Sequence, residues 1–175
     1  MPIPRPKYFL SDYRNQVFIE TGSHRGNGIQ AALDAGFKCI YSVELNLFDY
    51  GWCACRFEKF GTKVHIYNTD SRQFLRELLP QVTTRCTFWL DAHACGSGSG
   101  DMEDCPLIEE LLLISLHEIK DHTILIDDVR LFGGELPALD EVKMALARIN
   151  PDFEISFVNS SEYIGDILVA RLPTL

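Results

Sequence analysis

The 175-residue sequence predicts a doubly wound α/β sheet of seven strands, mostly parallel and finished by an antiparallel C-terminal hairpin. Three observations predict it. Short apolar runs alternate with amphipathic stretches along the whole chain, with no internal repeat. The first five runs are each followed by an acidic residue: Glu20, Glu44, Asp70, Asp91 and Asp127. The last two runs are joined only by the polar segment Asn159-Ser160-Ser161-Glu162, which suits a hairpin rather than a helical crossover. This is a Rossmann-like pattern, and one domain over residues 1–175 accounts for it, with residues 1–14 as an N-terminal extension.

Taken in order, Val17-Phe18-Ile19 is the first strand, and Ile29, Ala32 and Leu33 then recur at helical spacing until Gly36 stops the helix. The second strand is Cys39-Ile40-Tyr41-Ser42-Val43, and a helix over residues 48–60 follows, closed by Gly61. The third strand is 64–67, after which Asp70 or Ser71 caps a helix with Phe74, Leu75, Leu78 and Leu79 on one face. Thr87-Phe88-Trp89-Leu90 is the fourth strand. It leads into residues 93–105, a Gly/Ser-rich segment expected to be a flexible active-site loop. Pro106 opens the next helix, with Glu109 and Glu110 beside the positive end of its dipole. Ile124-Leu125-Ile126 is the fifth strand, and Pro137 begins a helix with Leu139, Val142, Leu146 and Ile149 inward. Strands at 154–158 and 167–170 close the sheet.

Composition excludes several classes. Hydrophobic residues at 46% and charged residues at 23% describe an ordinary globular chain, and no apolar run approaches the roughly 18–20 residues of a membrane span. Sixteen basic against 25 acidic residues, a formal charge of −9, argue against nucleic acid as a partner. The opening Met-Pro-Ile-Pro-Arg-Pro-Lys has no secretory signal features, so a cytoplasmic protein with reduced cysteines is expected. The spacing of His93, Cys95 and Cys105 matches no recurring zinc pattern, and Cys53-x-Cys55 falls on a helix.

Right-handed crossovers place the strand C-termini along one edge, where ligands of such sheets bind. Glu20-Thr21-Gly22-Ser23-His24-Arg25-Gly26-Asn27-Gly28 there is a glycine-rich turn into a helix N-terminus. It is neither the dinucleotide fingerprint nor a Walker loop, which disfavours those cofactors. Glu44 is placed to accept the hydroxyls of a ribose, and Asp70 an amino-group proton of a purine. Each acid alone is equally a surface carboxylate or a helix cap.

Together, Glu20-x-Gly22-x-x-x-Gly26, Glu44 and Thr69-Asp70 resemble the first three motifs of class I S-adenosylmethionine (SAM)-dependent methyltransferases, and the resemblance covers nearly the whole chain. It implies SAM as cofactor. Glu20, Thr21, Gly22, Ser23, His24 and Gly26 would surround its methionine part. Glu44 would hold the ribose, Asp70 and Ser71 would border the adenine, and Asp91 is counted with the cofactor-binding set.

Asp91, Asp127 and Asp128 are three carboxylates at two neighbouring strand ends, an arrangement that suits a hard cation such as Mg²⁺. The pattern is similar to catechol-type O-methyltransferases, which have an Asp-Asn pair after the fifth strand, and to macrolide-sugar O-methyltransferases, where the pair can be Asp-Asp as here. That likeness implies Asp91, Asp127 and Asp128 as metal ligands; the alternative is that one Asp caps a helix and another pairs with Arg130. A metal chelating two acceptor oxygens would align one with the sulfonium methyl and lower its pKa. The catechol-type family has a Lys three residues after its first metal Asp, where this chain has Ala94, a departure that weakens the catechol assignment. His93 is the candidate base, with metal ligand and loop histidine as its other readings, and Asp91 is the second catalytic candidate.

The expectation is therefore Mg²⁺-assisted O-methylation of a small hydroxylated acceptor. The alternatives are metal-independent methylation of another nucleophile, an antibiotic hydroxylase of similar fold, a non-catalytic nucleoside- or SAM-binding module, and an assembly subunit. With no separate substrate domain, the acceptor site is shallow, loop-built, or completed by the partner subunit of a homodimer.

Overall fold

The computed structural model describes residues 9–92 and 105–173. Seven strands form one sheet: β1 (Val17–Thr21), β2 (Cys39–Val43), β3 (Val64–Tyr67), β4 (Cys86–Leu90), β5 (Thr123–Ile126), β6 (Glu154–Val158) and β7 (Ile167–Arg171). Their order is β3-β2-β1-β4-β5-β7-β6. Pairing is parallel from β3 to β5, and β7 runs antiparallel to both β5 and β6. This is the doubly wound mixed sheet expected from the sequence.

Among the described residues, five α-helices connect the parallel strands and lead into the hairpin: α1 (Asn27–Ala35), α2 (Leu47–Phe57), α3 (Ser71–Leu78), α4 (Leu107–Leu116) and α5 (Leu139–Ile149). Successive strand residues point to opposite faces, so each central strand feeds two cores. Ile19, Phe88 and Ile124 pack with α3, α4 and α5, while Phe18, Trp89 and Leu125 pack with α1 and α2. Burial on both faces explains why β4, β5 and β7 read as continuous apolar runs.

The differences from expectation lie at element ends: β1 runs on through Glu20 and Thr21, and β4, β5 and β7 are each one residue longer than expected. The helix expected over 48–60 stops at Phe57 and continues as a 3₁₀ segment, Glu58–Lys63, in which Gly61 has φ 54° and ψ −128°. Leu79 leaves α3 for a 3₁₀ turn, Leu79–Gln81, because Pro80 lacks the N–H that an α-helix would need there. Pro106 and Pro137 precede their helices rather than open them. Within the expected N-terminal extension, Phe9–Tyr13 is a 3₁₀ turn whose Leu10 is buried, and Phe9 meets Trp89 edge-on. Among the described residues, no helix is long and apolar enough to cross a membrane.

Candidate functional site

The strand order reverses between β1 and β4, so the crossovers from these neighbours leave on opposite faces and open a crevice at their C-terminal ends. Gly22 sits at its centre. The N–H groups of Gly22 and Ser23 both donate to Val43 O at 3.0 Å, which bends the chain after β1 across the end of β2. Gly22 has φ 84°, and a Cβ there would lie 2.4 Å from Asp91 O; only glycine lets the turn pass so close to β4.

Two compartments meet at Gly22. The larger, about 250 Å³, is lined by Glu20, Ser23, His24, Trp89, Asp91 and Asp127 among others. The smaller, about 110 Å³, is lined by Glu44, Leu45, Asp70, Ser71 and Arg72 among others. Strand alternation sorts the first two acids of the cleft: Glu20 shares a face with Phe18, and Asp91 shares a face with Trp89.

Glu20 is 1% exposed and accepts a hydrogen bond from Ser42 Oγ, its register partner on β2. Ser42 Oγ is also 2.5 Å from Ser23 Oγ. Burial pushes the Glu20 carboxyl up to about 8; the Ser42 hydroxyl opposes this, while the Asp91 and Glu44 carboxylates add to it. Gly28 packs directly on this carboxyl, since a Cβ there would fall 1.7 Å from Glu20 Oε1.

Glu44 fixes the turn between the compartments. Its Oε2 accepts from the His24 N–H at 2.7 Å, and its Oε1 from the Asn46 N–H at 2.8 Å. Asp70 caps α3, accepting from Arg72 N at 2.8 Å and from the Arg72 guanidinium at 2.7 and 2.9 Å. The side-chain hydrogen bond from Arg72 leads in holding this carboxyl below its usual range.

Two residues of the expected cofactor set also make contacts that hold the fold. Thr21 faces α4 and donates from Oγ1 to Glu110 Oε2 at 3.4 Å. Gly26, at φ 80°, caps α1, and a Cβ there would meet Phe57 at 2.3 Å. His93 and Cys95 lie outside the described residues. Ser42 and Asp166 escaped sequence reasoning. A polar Ser inside an apolar strand, and an acid directly before the buried run of β7, were the signals that could have found them.

The acidic lining of the cleft fits SAM: the carboxylates of Asp91 and Asp127 and the buried Glu20 carboxyl line one compartment, and the carboxylates of Glu44 and Asp70 the other, which suits a ligand bearing a sulfonium and an ammonium. Mg²⁺ is different. Among the described residues, the carboxylates whose oxygens gather within 4.8 Å are Asp127, Asp128 and Asp166, without Asp91. Arg130 Nη1 already donates to two of these, Asp128 and Asp166. Mg²⁺ demands near-octahedral oxygen ligands at roughly 2.0–2.1 Å, and the guanidinium stands among the oxygens that would provide them. As arranged, the cluster does not fit a Mg²⁺ centre. The pairing of Asp128 with Arg130 is the alternative raised by the sequence.

No protein-family model matches the chain, and no curated protein matches it in sequence. Solved structures do resemble it. An O-methyltransferase from Bacillus cereus, in complex with SAH, superposes with a TM-score of 0.63 at 11% identity, over 94% of this chain and 78% of that one. A TehB-like SAM-dependent methyltransferase from Corynebacterium glutamicum gives 0.60 at 13% identity, over 96% and 87%. A SAM-bound amino pentose methyltransferase from Micromonospora echinaspora gives 0.61 at 10% identity, over 93% and 86%. The chain thus has the fold of SAM-dependent methyltransferases.

Proposed function

We propose that the protein is a SAM-dependent methyltransferase acting on an oxygen of a small hydroxylated acceptor. The observation that carries the reading is the two-compartment cleft hinged at Gly22, with Glu20 and Asp91 on one side and Glu44 and Asp70 on the other. Glu20, Ser23 and His24 would surround the methionine part, Glu44 the ribose, and Asp70 with Ser71 the adenine. Both Glu44 oxygens already accept one backbone N–H each, which fixes the carboxylate and leaves further lone pairs for ribose hydroxyls.

When bound, SAM supplies an electrophilic methyl group on a sulfonium. The acceptor oxygen would form a bond to that carbon, the S–CH₃ electron pair would stay on sulfur, and the hydroxyl proton would pass to a base. His93 is assigned that base, with Asp91 beside the reacting atoms. The protein's main contribution is to hold the oxygen in line with the S–CH₃ bond. The finer expectation of Mg²⁺ assistance is not carried into this reading, because Arg130 stands among the carboxylates that would hold the ion. The acceptor is taken to be a small molecule rather than nucleic acid, in keeping with the charge of −9. A homodimer that completes the acceptor site is compatible with the reading.

Calorimetry with SAM and SAH tests it first. Saturable binding of both is expected, with Glu44→Ala weakening each at least tenfold, about 1.4 kcal/mol. Absence of binding by either would overturn the proposal. Labelled methyl transfer from SAM to a panel of sugars, phenols and amines then separates O-methylation from methylation of another nucleophile. Binding without transfer to any of them would favour a non-catalytic module.

A further inference from the structure

At the C-terminal end of β5 the chain carries its own cation. Asp128 adopts a left-handed conformation, φ 61° and ψ 38°, and the 3₁₀ turn Val129–Leu131 follows. Asp166, 2% exposed and directly before β7, grips this turn. Its carbonyl accepts from Val129 N at 2.9 Å, its Oδ1 from Arg130 N at 3.1 Å, and its Oδ2 from Arg130 Nη1 at 2.6 Å. Arg130 Nη1 also donates to Asp128 Oδ1. The guanidinium carbon lies 4.4 Å from the centre of the Tyr163 ring. Two carboxylates and an aromatic face thus fix one guanidinium, whose side chain remains 39% exposed.

We propose that Arg130 is the resident cation of the acceptor site, standing where a divalent metal would gather Asp127, Asp128 and Asp166, and that it donates hydrogen bonds to an oxygen of a neutral hydroxylated acceptor. Its role as an acceptor-binding residue rests on the methyl-transfer reading; its displacement of a metal does not.

Four points carry the proposal. A guanidinium cannot lose its proton in this pH range, so Arg130 is a permanent positive charge that a divalent ion would have to displace or repel. Nη1 has two N–H groups and spends both on Asp128 and Asp166; among the described residues nothing accepts from Nε or Nη2, which leaves donors for a ligand. Arg130 stands beside the carboxylates of Asp128 and Asp166, a pairing that favours hydroxyls, which accept from a guanidinium and donate to an acid. The cluster also adjoins the cleft in sequence, since Asp127 precedes Asp128, Ser161 lies two residues before Tyr163, and both Asp127 and Ser161 line the larger compartment.

Titration of the full chain with Mn²⁺, followed by electron paramagnetic resonance of the free ion, tests the displacement directly. The wild type is expected to take up no stoichiometric Mn²⁺. Arg130→Gln, which keeps polarity but removes the charge, is expected to gain one ion per chain; Arg130→Lys, which keeps the charge, is expected to gain none. One ion bound by the wild type and lost in Asp128→Asn would overturn the proposal. So would Arg130→Gln that is folded by circular dichroism yet gains no ion, since Arg130 would then not occupy the metal's place. Should Arg130→Gln fail to fold, the Mn²⁺ stoichiometries of the wild type and Asp128→Asn decide alone. SAM calorimetry on the same samples keeps the two readings apart. Failure of every form to bind SAM or SAH overturns the methyl-transfer reading and with it the acceptor role, whatever the Mn²⁺ result.

Discussion

Glu20 shows what a single buried acid does to this molecule. Its carboxyl is raised from 4.5 to about 8 in the folded chain, chiefly by desolvation. The folded state therefore holds a proton that the unfolded chain releases between those values, and stability falls as pH rises from about 4.5 to 8. Glu20→Gln should remove that slope in thermal melts of the cofactor-free protein, and should weaken SAM binding most above pH 8, where the wild-type carboxyl is ionised beside the bound cation. A slope unchanged by the substitution would show that the carboxyl is already ionised at neutral pH. Gly28 belongs to the same contact. Ala at that position has the better helix propensity, yet its Cβ would fall 1.7 Å from Glu20 Oε1. Gly28→Ala should cost about 1–3 kcal/mol as overpacking, read in urea melts, and lower SAM affinity by moving Glu20. Glu20, Glu44 and Asp91 were legible in the sequence because each follows an apolar run that could only be a strand. Ser42 was not singled out, because its meaning depends on lying opposite Glu20 in the β1–β2 register.

Between α4 and β5, two histidines form a directional chain at the sheet edge opposite the cleft. The Cys86 N–H donates to His122 Nδ1 at 3.0 Å, so His122 carries its proton on Nε2 and donates to His117 Nδ1 at 3.0 Å. His117 then donates from Nε2 to Val82 O at 3.0 Å. Burial leads in pushing His122 down to about 4, with His117 and nearby cations adding to it and Asp121 opposing. A depressed histidine stabilises the fold above its unfolded value near 6.5 and loses that contribution as pH falls to about 4. His122→Gln should therefore cost roughly 1–3 kcal/mol at neutral pH, by leaving the Cys86 N–H poorly satisfied, while flattening the acid side of the stability profile. A capping test belongs at this scale too: Asp70→Ala should cost about 1 kcal/mol by exposing the N-terminus of α3, measured by denaturant melts. The strands β2, β3 and β6 match their expected bounds because apolar runs between polar turns define them locally. Helix ends matched less well. Pro80, Pro106 and Pro137 mark a boundary in the sequence, but packing decides on which residue the α-helical bonds begin or stop.

For the whole molecule, these opposed titrations predict the shape of the stability profile. Between about pH 4.5 and 6.5 Glu20 and His122 act in opposite directions and largely offset one another; from 6.5 to 8 Glu20 alone lowers stability. SAM at a hundred times its dissociation constant should raise stability by about 2.7 kcal/mol, if it binds only the folded chain. Its removal by dialysis should reverse the thermal shift. The sequence by itself determined the α/β class, the strand sequence, the terminal hairpin and the row of acids, because hydrophobic period and strand-end position are local properties. It also placed Asp127, Asp128 and Arg130 close together in the chain. Only the tertiary structure brought Asp166, 36 residues beyond Arg130, into that group and replaced Asp91 within it. The antiparallel return of β7 beside β5 determines which acid meets the guanidinium, and that contact separates a metal centre from an arginine site.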